Sequence, residues 1–243
     1  DMYRRLMDLN PSLAVATQEL VTRMVQDNEV DEAEAVLDKL TGGEAGNTAA
    51  EILKIELLLQ RKDWPAAEAA ARRLVAGTDP NGVGAFQLGQ VLEAREQYAE
   101  AAQAYAEALE KSTNNLRMMQ GLARTMNAQG KQVETIAFLR RRAADFPDNT
   151  GIRLMLGGAL ADRDETAEAL RIFESVIEDQ PDQSPPYVAV ASLFPDDADK
   201  RIAAYRRGLA AVPGNLPIAS LLVDEYQRLD RVDDLIALYE ELL

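Results

Sequence analysis

Two arginines stand seven residues apart in a stretch with helical periodicity, and they are the clearest candidates for binding chemistry. Arg117 and Arg124 share one face of such a helix, with Gln120 between them and Asn127 one turn further on. Guanidinium groups bind carboxylates through paired N–H donors, and amides add further hydrogen bonds. The spacing therefore predicts a surface for an acidic or carboxylate-bearing protein segment.

Apolar side chains should flank this charged face. We expect Phe86 and Leu154 to approach it from neighbouring helices, with Gln90 one turn after Phe86. The alternative is that the arginines pair with Glu93 or Asp162 and only keep the surface soluble. The predicted partner-binding groove consists of Phe86, Gln90, Arg117, Gln120, Arg124, Asn127 and Leu154.

The residue types argue against catalysis. Histidine and cysteine are both absent, so there is no imidazole base, no thiol nucleophile and no thiolate metal site. The pair Gly157-Gly158 lies in a helical pattern and lacks the Lys-Ser/Thr of a phosphate-binding loop. Acidic residues fall mostly at corners and on polar helix faces. The sequence predicts a protein that is not an enzyme, with no cofactor and no metal.

The elements that must position the arginines are helical hairpins, and residues 83–115 show the pattern best. Their first half, VGAFQLGQVLEA, and their second half, YAEAAQAYAEALEK, each carry apolar residues at helical spacing. The short polar corner between them predicts two antiparallel helices. Gly89 inside the first helix costs about 1 kcal/mol relative to alanine. We expect it where a neighbouring backbone comes close.

This stretch resembles the tetratricopeptide repeat (TPR), a helix-turn-helix unit of 34 residues. In that pattern a bulky residue precedes a small one in the first helix, and small residues surround an aromatic in the second. The matching residues are Leu88, Gly89, Leu92, Ala101, Tyr105 and Ala108.

The pattern recurs along the whole chain. We expect residues 1–13 to be the second-helix remnant of a preceding repeat, and residues 14–243 to form the array. Repeats are predicted to start near residues 14, 48, 82, 116, 150, 184 and 216, the last being incomplete, as in a segment of a longer array. Pro213 arrives two residues early, which predicts a short first helix and a tightened corner in the repeat from 184.

The resemblance implies an all-α, right-handed superhelical solenoid of antiparallel helix pairs. First helices would line a concave groove that binds extended peptides or partner helices. The early repeats offer Gln18, Thr22, Ile52 and Glu56 to this groove. The lysines and asparagines of the family's carboxylate clamp are not present residue by residue.

Charge narrows the class of partner. The chain has 26 basic and 41 acidic residues, a formal net charge of −15, which disfavours nucleic acid and anionic membranes. No run of about 18 apolar residues predicts a membrane span.

Three hypotheses follow. The first is a non-catalytic scaffold that binds a protein or peptide segment in its groove. The second is a glycan-handling or periplasmic role, because acidic arrays of this kind resemble those of bacterial exopolysaccharide assembly and export systems. The third is end-to-end self-association through Tyr3 and Leu6 at one end and Leu238, Leu242 and Leu243 at the other. The compartment would be the bacterial periplasm or cytoplasm, with the periplasm favoured.

Overall fold

The computed structural model describes residues 14–27, 29–41, 48–77 and 79–242. Within them the chain forms fourteen α-helices and no strand. They are α1 (Ala14–Gln26), α2 (Val30–Thr41), α3 (Thr48–Gln60), α4 (Trp64–Ala76), α5 (Val83–Ala94), α6 (Tyr98–Lys111), α7 (Leu116–Ala128), α8 (Gln132–Asp145), α9 (Thr150–Ala161), α10 (Thr166–Asp179), α11 (Pro185–Ser192), α12 (Ala198–Ala211), α13 (Leu216–Arg228) and α14 (Val232–Leu242). The predicted all-α helical repeat is confirmed. The exact repeat boundaries stay a prediction, and the half-repeat over 1–13 lies outside the described residues.

The chain divides into two compact units, an N-terminal unit over residues 1–131 and a C-terminal unit over residues 132–243. In the N-terminal unit each helix packs on the next, and α1, α3, α5 and α7 also contact one another in order. These four first helices therefore form one layer, and α2, α4 and α6 form the other. In the C-terminal unit, successive helices from α8 to α14 pack on each other, and α9 also contacts α11.

The corner within a repeat is built from a left-handed residue. Lys62, Glu96, Asp164 and Asp230 have φ between 55° and 61°, and Gly130 has φ of 75°. The next residue then donates its N–H to the carbonyl five positions earlier, as Gln97 does to Leu92 over 2.9 Å. This bond closes the first helix and turns the chain back at once.

Aromatic rings lie against glycines between the helices. An alanine at Gly89 on α5 would place its Cβ 2.7 Å from the Tyr105 ring, and one at Gly121 on α7 would place it 2.6 Å from the same ring. Gly157 on α9 stands in the same relation to Phe173 on α10, at 2.3 Å. The expectation that Gly89 faces a neighbouring backbone is wrong, because a side-chain ring occupies that space.

The irregular repeat has the short first helix that its early proline predicts, but the expected tightened corner is wrong: its corner, residues 193–197, is the longest among the described repeats. Its first helix, α11, has only 8 residues. The Arg201 guanidinium on α12 donates to the carbonyls of Phe194, at 2.7 Å, and Pro195. It also donates two hydrogen bonds to the Glu225 carboxylate on α13. A buried arginine thus bonds two carbonyl groups in the corner that follows α11, and it links that corner to α13.

Candidate functional site

The predicted groove residues of the N-terminal unit lie on two neighbouring first helices. Phe86, Gln90 and Glu93 stand on α5 at helical spacing, and Arg117, Gln120, Arg124 and Asn127 stand on α7. Asn115 caps α7 by accepting a hydrogen bond from the Met118 N–H at 3.2 Å. The short turn after α6 and the Asn115 cap determine the residue at which α7 begins. The start of α7 in turn determines which face of the helix carries its arginines.

Arg117 lies over an aromatic ring. Its guanidinium carbon is 5.7 Å from the centroid of the Phe86 ring, a cation–π distance. Phe86 in turn packs against Tyr105, with ring centroids 5.7 Å apart. Arg117 is exposed, and within the described residues it forms no salt bridge. The structure therefore brings the predicted cation and the predicted apolar anchor together.

Arg124 has an acidic partner within the chain. Its Nε and one terminal nitrogen donate to the two oxygens of Glu93, at 2.9 and 3.0 Å. The Tyr105 hydroxyl donates to the same carboxylate at 2.6 Å. The alternative expectation, that a groove arginine pairs with Glu93, is confirmed for Arg124.

These contacts change the acid–base behaviour of the three groups. Burial raises the pKa of Glu93, but the hydrogen bonds from Arg124 and Tyr105 outweigh burial and leave that pKa below its usual value. Burial, with the adjacent carboxylate, raises the pKa of the Tyr105 hydroxyl. The hydrogen bond to Glu93 raises the pKa of Arg124. At neutral pH the cluster therefore holds one carboxylate, one guanidinium and one neutral phenol.

The amides of the predicted set differ in environment. Gln120 is exposed and Gln90 is half-buried. Asn127 is also half-buried, and its Oδ1 is shielded from solvent without a hydrogen-bond partner among the described residues. Asn127 therefore has a buried polar atom whose hydrogen-bonding capacity the described residues do not satisfy.

Leu154 belongs to the C-terminal unit. It is half-buried on α9 and packs against the apolar core of that unit. The candidate site therefore consists of residues on α5 and α7.

Sequence reasoning missed two features. One is the Tyr105 hydroxyl, because the repeat pattern specifies only an aromatic residue between small ones at this position. The other is a pocket between α1 and α3. Thr22 and Glu56, already expected in the groove, line it together with Gln26 and Gln60. Thr22 and Glu56 are 34 residues apart, and so are Gln26 and Gln60. This shared repeat spacing is the sequence signal that could have revealed the pocket.

Comparison with known sequences places the repeat in a family. Residues 20–83 and residues 128–193 each match a sequence model of the tetratricopeptide repeat. The chain therefore contains tetratricopeptide repeats, and the resemblance seen in its residues is confirmed. Proteins built from them are generally non-catalytic scaffolds for protein–protein interaction. No curated protein matches the sequence.

Solved structures of low sequence identity share the fold. A tetratricopeptide repeat protein from Parabacteroides merdae is 14% identical, with a TM-score of 0.59 over 90% of this chain and 88% of that one. The C-terminal part of a TPR repeat-containing protein from Cytophaga hutchinsonii is 17% identical, with a TM-score of 0.59 over 93% of each chain. Pseudomonas aeruginosa pilF is 16% identical, with a TM-score of 0.56 over 90% of this chain and 96% of that one. These likenesses show the fold alone, and they do not support the resemblance to exopolysaccharide systems.

None of the described helices combines the length and the apolar character that crossing a membrane requires.

Proposed function

We propose that this chain is a non-catalytic scaffold whose N-terminal unit binds a carboxylate-bearing segment of a partner protein across α5 and α7. The observation that carries the proposal is the Arg117–Phe86 contact: an exposed cation, held on an aromatic ring, without an acidic partner among the described residues.

The cation–π contact with Phe86 makes Arg117 better suited to binding than a freely rotating arginine. Its planar guanidinium presents N–H donors that match the two oxygens of a carboxylate. A carboxylate can then accept two of those donors, and an apolar side chain next to it can contact Phe86. Less side-chain entropy is lost on binding because the arginine is already positioned.

Arg124 has a different role in this proposal. Its charge is balanced by Glu93, so a partner carboxylate would have to displace an existing bidentate pair. Arg124 therefore supports the α5–α7 contact, and Arg117 provides the attraction. This assignment separates two arginines that the sequence treats as equivalent.

The test is a selection of random 12-residue peptides, displayed on phage, against the purified full chain. We expect enriched peptides to contain Asp or Glu beside an apolar residue. Synthetic copies should bind with micromolar affinity by fluorescence anisotropy. Arg117→Glu should weaken that binding at least tenfold, about 1.4 kcal/mol, and Phe86→Ala should weaken it about fivefold.

The matched control is Arg141→Glu. Arg141 is an exposed arginine on α8, in the C-terminal unit, so its substitution makes the same change in net charge. It should leave peptide affinity unchanged. If Arg117→Glu and Arg141→Glu weaken binding equally, the effect is one of net charge, and the proposed site is wrong.

Self-association is a second candidate, on different residues from those expected. Leu238 is fully buried in the C-terminal unit, so it cannot contact a second copy. Leu242 is half-buried against the core of the same unit, and Tyr3, Leu6 and Leu243 lie outside the described residues. The exposed large apolar residues of α14 are instead Val232, Ile236 and Tyr239, on one helix face.

Self-association through this face of α14 can be measured directly as the mass of the chain in solution. If it associates, sedimentation velocity of the full chain should show a concentration-dependent rise in mass. Ile236→Glu combined with Tyr239→Glu should abolish that rise. A mass that stays monomeric up to about 100 μM would remove this candidate.

A further inference from the structure

The pocket between α1 and α3 lies on the same layer of first helices as Arg117. Its volume is about 160 Å³. Its floor is apolar and is formed by Val21, Val25, Leu53 and Leu57. An apolar cavity of about 150 Å³ can hold a benzene-sized group. The pocket is therefore large enough for one leucine-sized side chain.

The rim of the pocket carries an unbalanced charge. Glu56 lines the pocket and is exposed, and among the described residues it forms no salt bridge. The exposed Thr22 faces the same pocket. An apolar ligand group with a lysine or arginine next to it would fill the floor and neutralise Glu56.

Glu56 and Arg117 are therefore two opposite charges within one layer of helices, each without an ion-pair partner among the described residues. Glu56 on α3 stands beside the pocket, and Arg117 stands on α7, two first helices further along. Adjacent packed helices are about 9 Å apart, and each residue along a helix rises about 1.5 Å. The distance from the pocket to Arg117 is thus about 20 Å, which an extended chain covers in six or seven residues.

We infer that the partner segment is dipolar. Resting on the proposed function, this inference adds a second anchor: a leucine-sized side chain in the α1–α3 pocket, with a neighbouring basic residue at Glu56. The acidic residue that binds Arg117 then lies six or seven positions away along an extended segment. A segment with one basic and one acidic residue at this separation differs from a uniformly acidic peptide.

Designed peptides test the register. Each fluorescein-labelled peptide has a Leu-Lys pair and an Asp-Leu pair in a Ser/Gly background, with the Lys and Asp separated by two to ten residues. Both orders along the chain are included. Anisotropy titration of the full chain should show the tightest binding at a separation of six or seven in one order, at least fivefold tighter than at two or ten. Equal affinity at every separation overturns the inference.

Charge exchange tests the Glu56 contact. Glu56→Lys should weaken the best peptide at least fivefold, and replacing the peptide lysine by glutamate should restore the affinity. Thr22→Trp, an exposed substitution that fills the pocket mouth, should cause a similar loss. The control is Glu110→Lys, the same change at an exposed position of α6 in the other layer, which should have no effect.

The two proposals fail in different ways. If Arg117→Glu abolishes binding but Glu56→Lys and Thr22→Trp do not alter it, the proposed function stands and the dipolar segment is wrong. If Arg117→Glu has no effect, the proposed function itself fails. If Glu56→Lys weakens binding and the exchanged peptide does not restore it, the direct contact is wrong.

Discussion

Tyr105 and Tyr239 hold the same place in their helices but have opposite surroundings. Each is the eighth residue of its helix, α6 and α14 respectively. Tyr105 is fully buried, whereas the Tyr239 residue is 50% exposed. Tyr105 lies between glycines of α5 and α7, and no described glycine of the C-terminal unit meets the Tyr239 ring. The comparison shows that two rings at the same helix position differ in burial because their neighbouring helices differ.

The largest expected effect comes from removing each ring in turn. Tyr105→Ala should lower the free energy of unfolding of the N-terminal unit by about 3–5 kcal/mol, because it leaves a cavity in a closely packed site. Tyr239→Ala should cost less than about 1 kcal/mol. Urea titration followed by circular dichroism measures both. Similar losses for the two variants would show that burial is not what separates these rings.

A glycine-to-alanine substitution beside Tyr105 tests how tightly that buried ring is packed. Gly121→Ala should destabilise the N-terminal unit by about 1–3 kcal/mol, because the new Cβ would sit 2.6 Å from the buried Tyr105 ring. Thermal unfolding measures the loss. In a Tyr105→Ala background the penalty should largely disappear, since the ring that causes the clash is gone.

Gly158→Ala is the matched control for that substitution. Gly158 is also a helical glycine, but a Cβ there meets nothing within 4 Å. Alanine should therefore stabilise α9 by up to about 1 kcal/mol through its better helix propensity. A destabilising Gly158→Ala would contradict the described packing.

The pH dependence of stability should depend on the Tyr105 site. The pKa of Glu93 is lowered below 4.5 in the folded chain, so its carboxylate stabilises the fold above about pH 4.5. That contribution is lost as the pH falls through the lower, folded-state pKa. Melting temperatures between pH 3 and 7 should therefore fall less steeply in Glu93→Gln than in the natural chain.

Tyr105→Phe separates the hydroxyl from the ring in this experiment. It keeps the packing and removes the donor to Glu93, so the pKa of Glu93 should rise towards its usual value. Carboxyl carbon chemical shifts measure that pKa directly. An unchanged Glu93 pKa in this variant would refute the role given to the hydroxyl.

The smallest expected effect compares two ion pairs. Arg124–Glu93 is supported by Tyr105, whereas Arg140 binds both oxygens of Glu168 on the surface of the C-terminal unit. Double-mutant cycles should give a coupling energy of about 1 kcal/mol for the first pair and below about 0.5 kcal/mol for the second. Equal couplings would mean that the tyrosine adds nothing to the ion pair.

Much of the local structure could be predicted from residue patterns. The 34-residue period, the polar corners and the early Pro213 indicated the helices, their antiparallel pairing and the short α11. These features depend on contacts between residues close in the chain, and backbone propensity and periodicity describe such contacts well. The seven candidate residues were likewise derived from repeat position. The grouping of Phe86 with Arg117 follows from α5 and α7 being neighbours.

Tertiary structure alone decided which partner each long side chain takes. Arg117 and Arg124 have the same type and the same face, yet one lies on Phe86 and the other binds Glu93. Leu238 and Tyr239 are adjacent and both apolar, yet only Leu238 is buried. Several partners lie within reach of a flexible side chain, and the choice depends on the relative placement of helices far apart in sequence. Periodicity specifies the face of a helix, whereas the packed neighbours determine the contact.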